Sequence, residues 1–167
     1  MCNKDKLKKL LSKYRLNIGY GDTYMHREFS FSRDEGFAGP LFIDESTELS
    51  MSEEMAAPIL AVIEDVIPDA YDYYYETLPI RKAEAKQIYQ RMQEVRLKVL
   101  ENPSDSSLGK IVERLRYSDF AWDYHDNDSQ ERILFKRRHE IAALYKLFML
   151  WLSNGENLFF DFVVTGP

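Results

Sequence analysis

The chain has 167 residues, 45% apolar, 30% charged and 14% aromatic, with 7 Gly and 6 Pro; this suits one domain spanning 1–167 and excludes a collagen-like or wholly disordered polypeptide. The one cysteine, Cys2, rules out an internal disulfide and any zinc site built on two or more thiolates. The net charge of −6 comes from 22 basic and 28 acidic residues, and they are segregated along the chain.

Residues 4–14 place Leu7, Leu10 and Leu11 at helical spacing among lysines and predict a short amphipathic helix. The same stretch has the lysines of a signal peptide but lacks the apolar run of about 7 to 15 residues that would follow them. The longest apolar run, 147–152, is far below the roughly 20 residues of a membrane span, so a soluble, cytoplasmic protein with no membrane partner is expected. Over 24–32 the pattern changes to period two. Met25, Phe29 and Phe31 share one parity, and His26, Glu28, Ser30 and Ser32 the other, as in a strand with one wet face. Residues 37–43 are a candidate pairing partner, with Gly39-Pro40 confining them to an edge.

Helices are predicted for most of the remainder. Ser50 and Glu53 have capping-box spacing, and Met55, Ile59, Leu60, Ile63 and Val66 repeat at helical intervals, with Pro58 expected to kink the helix or delay its start. Pro68 opens a turn, and Pro79 suits the first turn of the next helix. That helix, about 80–101, has Ala85, Ile88, Met92, Val95 and Val99 as a narrow apolar seam. Asn102-Pro103 ends it, a loop follows over 103–107, and Leu108, Ile111, Val112 and Leu115 mark a shorter helix. Asp128 and Glu131 again have capping-box spacing, for a long helix that closes at Asn154-Gly155. Within 141–152 only Lys146 is charged, so this helix is expected at the centre, with Leu144, Phe148 and Trp151 packed on the seam of Ile88, Met92 and Val95. The dense apolar run 158–164, interrupted by Asp161, reads as a buried strand. The predicted architecture is α+β, mainly α: a helical bundle around a long C-terminal helix, with a small antiparallel sheet from the N-terminal region and a C-terminal strand.

Charge supplies the main functional clue. Residues 1–33 hold eight Lys/Arg against three Asp/Glu, whereas 34–78 hold twelve acids and no Lys or Arg. One reading folds this acidic block against the basic stretches 79–103 and 132–146. The other leaves part of it exposed, attracting a basic partner and repelling nucleic acid. Within the block, Asp69, Tyr71, Asp72, Tyr73, Tyr74, Tyr75 and Glu76 interleave acids with tyrosines, which are rigid, amphipathic and enriched at interface hot spots. Four tyrosines in five helical positions spread around most of a circumference, so at least one should be exposed.

Other chemistry is sparse, and no cofactor motif is present. His26 and Glu28, two apart on a strand face, have the spacing of a base and its orienting carboxylate. Asp123, His125, Asp126 and Asp128 gather oxygen and nitrogen ligands suited to a cation, although no EF-hand pattern is met. Arg132 and His139 lie seven apart on the long helix with Lys136 beside them. An Arg followed a few residues later by a His resembles the motif of the HEPN ribonucleases, small helical proteins in which that pair acts on an RNA phosphate; here Ile133 replaces the polar residue that commonly follows the Arg. In size and charge the chain also resembles the small acidic immunity or antitoxin proteins with which bacteria block nuclease toxins. That resemblance implies a non-catalytic inhibitor whose partner is a basic toxin. A helical subunit of a larger assembly is the third reading.

Overall fold

The computed structural model describes residues 3–14, 16, 28–33, 48–74, 76–116, 118, 120, 129–153, 159 and 161–166. Five α-helices are formed: α1 (Asn3–Tyr14), α2 (Glu53–Val66), α3 (Lys82–Glu101), α4 (Gly109–Leu115) and α5 (Gln130–Leu152). Four strands accompany them: β1 (Glu28–Arg33), β2 (Glu48–Ser52), β3 (Leu78–Ile80) and β4 (Phe162–Thr165). The protein is mainly helical with a small antiparallel sheet, as the sequence predicts.

Strand order in the sheet is β2-β1-β4-β3. The register aligns Leu49 with Phe31, Phe31 with Val164 and Val164 with Leu78, so one apolar row crosses all four strands, and all four side chains are buried. Cross-strand rows of this kind fix register, because a slip of one residue would turn each strand's apolar set toward water. The expected partner of β1 at 37–43 lies outside the described residues, as does Met25; the described neighbours of β1 are β2 and β4.

Three helix starts differ from expectation. Ser50 is buried within β2, and the N-cap of α2 is Ser52, whose Oγ accepts from the Met55 backbone N–H at 3.1 Å. Pairing of Ser52 with Glu28 carries the strand to that point, so the helix cannot begin earlier. For α5 the cap is Ser129, whose Oγ accepts from the Arg132 N–H at 3.2 Å; Asp128 lies outside the described residues. Pro79 does not open α3. It sits exposed in β3, an edge strand, where a missing N–H is tolerated. The start of α3 is fixed instead by Glu84, which accepts from the Arg81 N–H at 3.1 Å, and by Asp161, which accepts from the Lys82 N–H at 2.9 Å. Asp161 therefore interrupts an apolar run in order to cap a helix far away in sequence.

The seam of α3 is buried at all five expected positions. Nine consecutive residues of α2, Met55 to Ile63, are also buried, so this helix is enclosed on every side rather than amphipathic. It continues through Pro58, whose carbonyl accepts a hydrogen bond from the buried Tyr145 hydroxyl of α5 at 3.0 Å. Helix α5 packs against α1, α2, α3 and α4 and is central, as expected. Its C-terminal half meets the sheet through aromatic rings: Phe148 lies 4.9 Å from Phe31 and 5.6 Å from Trp151, and Trp151 lies 5.5 Å from Phe162. Ile88, Met92, Val95, Leu144, Phe148 and Trp151 all belong to one buried cluster. No helix among the described residues is long and apolar enough to cross a membrane.

Candidate protein-binding site

Beyond α2 the chain turns through Pro68 into a single 3-10 turn at Ala70–Tyr73, then enters β3. Ala70 is fully buried and anchors the turn. Tyr71 and Tyr73 project outward, 54% and 44% exposed, and Asp69, Asp72 and Glu76 are exposed with them. Tyr74 is only 2% exposed. It belongs to the core rather than to an outward surface, which corrects its expected role as a binding residue. Tyr75 lies outside the described residues.

The turn is held from two sides. Tyr71 packs edge-on against Tyr74 at 6.2 Å, and the Arg114 guanidinium of α4 lies over the Tyr71 ring at 5.8 Å. From β4, the Gly166 N–H donates to the Tyr74 carbonyl at 2.7 Å. A Cβ at position 166 would stand 2.2 Å from that carbonyl oxygen, a backbone atom that cannot swing away. Gly166→Ala should therefore push β4 from the turn and cost about 1–3 kcal/mol, seen as a lower unfolding midpoint and faster amide exchange at Gly166.

Charge divides at the end of α2. The Glu64 carboxylate pairs with Arg114, and Asp65 takes Arg91 of α3 at 3.4 Å and Lys110 of α4 at 3.3 Å. Burial raises the Glu64 pKa above its ordinary value of 4.5, outweighing the opposite pull of Arg114 and Lys110. Among the described residues no ion pair engages Asp69, Asp72 or Glu76. A cleft of about 390 Å³ adjoins the turn, lined by Glu64, Pro68, Lys110, Glu113 and Arg114. The acidic block is thus neutralised where α2 meets α3 and α4, and remains acidic one turn further on.

Among the described residues, Arg132 and His139 are not part of this site. Arg132 and His139 lie exposed on α5, as does Lys136 between them. Glu28 opens β1, while His26, Asp123, His125, Asp126 and Asp128 lie outside the described residues. The roles of Lys110 and Arg114 were not visible in the charge layout, because the segment that contains them, 104–119, balances its Lys/Arg against its Asp/Glu. Compared with known protein families, with curated proteins and with solved structures, the chain has no match.

Proposed function

We propose that this protein is a non-catalytic binding protein that captures a basic protein partner through the acidic turn at 69–76, acting as an inhibitor of the immunity or antitoxin type on a nuclease-like toxin in the bacterial cytoplasm. One observation carries the reading: Glu64 and Asp65 have cations of their own chain, whereas Asp69, Asp72 and Glu76 stand exposed beside Tyr71 and Tyr73. Exposed carboxylates speed the encounter with a cationic surface, and the tyrosine rings supply the desolvated contact that holds it. Like charges disfavour nucleic acid at the same place.

The test uses the full chain as bait in its native source, beside the variants Asp69→Asn/Asp72→Asn/Glu76→Gln and Tyr71→Ala/Tyr73→Ala. A basic protein should be retained by the wild type and lost from both variants. With that partner purified, the charge variant should lower the on-rate at low salt, where the Debye length is about 30 Å at 0.01 M, and converge with the wild type as it falls to about 10 Å at 0.1 M. The tyrosine variant should raise the off-rate, with a loss of roughly 2 kcal/mol. An acidic partner, or binding unchanged in both variants, would sink the proposal.

A second reading, a helical ribonuclease, draws on the exposure of Arg132 and His139 on the same helix. It requires RNA cleavage by the wild type that His139→Ala abolishes without loss of fold.

A further inference from the structure

The cleft beside the turn at 69–76 lies between the end of α2 and α4 and is lined by Glu64, Pro68, Lys110, Glu113 and Arg114. Its volume of about 390 Å³ falls within the roughly 300–1,000 Å³ of clefts that hold ligands. Both of its cations are committed. Arg114 pairs with Glu64, whose side chain is 12% exposed, and lies over the Tyr71 ring at 5.8 Å; Lys110 pairs with Asp65 at 3.3 Å. Glu113 is exposed on α4, and among the described residues no ion pair engages it.

The pairs around the cleft leave one carboxylate over. Asp65 also takes Arg91 at 3.4 Å, and Arg91 takes Glu94 at 3.3 Å, so Glu64, Asp65, Glu94 and Glu113 stand against Arg91, Lys110 and Arg114. Asp69, which follows Pro68 of the lining, is exposed and adds to the excess. A carboxylate entering the cleft would have to take Arg114 from Glu64 and strand a largely buried acid. A cation meets Glu113 without breaking any pair.

We infer that the cleft is a specificity pocket for an arginine side chain of the basic partner, with its guanidinium paired to Glu113. The pocket rests on the proposed function for its source of arginine, and adds to that function a residue and a recess outside 69–76. Guanidinium suits the site better than the ammonium of lysine. Its planar fork can meet both oxygens of one carboxylate, and it is less strongly hydrated, so entering a recess costs it less. Its flat face also packs on aromatic rings, and Arg114 joins the cleft to the ring of Tyr71. Arginine, like tyrosine, is enriched among the residues that dominate interfaces.

The test is a backbone-amide NMR titration of the full chain with N-acetyl-arginine methylamide, beside the corresponding lysine and glutamate derivatives at matched ionic strength. The arginine probe should give saturable shifts centred on Glu64, Lys110, Glu113 and Arg114, and the other two should not. Glu113→Gln, at an exposed position that leaves every ion pair of the cleft in place, should weaken binding roughly fivefold or more, as expected when a charge-assisted contact is lost. Lys110→Gln should instead tighten binding about twofold, because it removes a like charge while Asp65 keeps Arg91. A residue with a purely structural role would give no such gain. Equal shifts with the lysine probe, stronger shifts with the glutamate probe, or affinity unchanged in both variants would overturn the pocket. These results would leave capture through the turn standing, since the probe carries no other part of a partner. Arginine binding that responds to both variants, with no basic protein captured from the native source, would keep the cleft as a guanidinium site and remove the proposed function.

Discussion

Phe148→Ala is expected to lower the stability of the protein by about 3–5 kcal/mol, measured by chemical unfolding at neutral pH. Its ring is fully buried and touches Phe31 of the sheet, Trp151 one turn further along α5, and Phe162 of β4. Truncation would leave a hole between the sheet and the central helix, and neither side can close it. The strands are locked by their shared register, while α5 is held by α1, α2, α3 and α4. Because the rings meet edge-to-face as well as by area, the double variant Phe31→Ala/Phe148→Ala should cost less than the two single losses added, by about 0.5–1.5 kcal/mol. An unchanged midpoint for Phe148→Ala would mean that α5 is not the element on which the sheet rests.

Arg114→Met should cost about 2 kcal/mol at neutral pH, less than the roughly 3–5 kcal/mol of a fully buried broken pair, because water still reaches part of both groups. Removal of the guanidinium leaves the Glu64 side chain, 12% exposed, with Lys110 as its remaining cation and withdraws the cover from the Tyr71 ring. The pH dependence follows in sign from the raised pKa of Glu64. The folded state holds this proton more tightly than the unfolded chain does, so the group favours folding most below 4.5 and that contribution is lost as pH rises through its folded value. Loss of Arg114 raises the folded value further, so the deficit of the variant should shrink on acidification to about pH 4. Glu64→Gln/Arg114→Met should recover most of the stability, since the orphaned carboxylate causes the loss. A deficit independent of pH would assign the role of Arg114 to its contact with Tyr71.

The helices were legible in the sequence where one face alone carries apolar residues. The seam of α3 could be read in full, because most of its remaining positions are charged or polar, Ala83, Leu97 and Leu100 excepted, and the 3-4 spacing is unambiguous. In α2 the same reasoning found the face carrying Met55, Ile59 and Ile63 but missed the enclosure of Ala56, Ala57 and Ala61; small residues give little periodic signal, and what surrounds them is contributed by other elements. The short strands were harder. β3 exists because Leu78 and Ile80 pair with residues far along the chain, and β2 ends in serines whose spacing to Glu53 and Met55 fits two different caps. At the candidate site, sequence established that some tyrosine must face outward. Which one does so depends on the tether from Gly166 and on the cover from Arg114, both distant in sequence, and Tyr74 is turned inward as a result. Internal neutralisation of the acidic block was anticipated for Arg91 but not for Lys110 or Arg114, because a segment's net charge conceals the individual cations within it.

The strand order has a kinetic consequence. β1 can pair early with β2, but its other edge is completed only by β4, and the β1–β4 pair must close almost the entire intervening chain. Such closures carry a large entropic cost before any contact compensates it, so the sheet should form late, after the helices have collapsed around α5. During synthesis β1 must wait with an open edge until residues 162–165 have left the ribosome. An unpaired edge bearing Phe29 and Phe31 is a template for strands of other molecules, so newly made chains are most exposed to aggregation in the interval between the emergence of β1 and the arrival of β4.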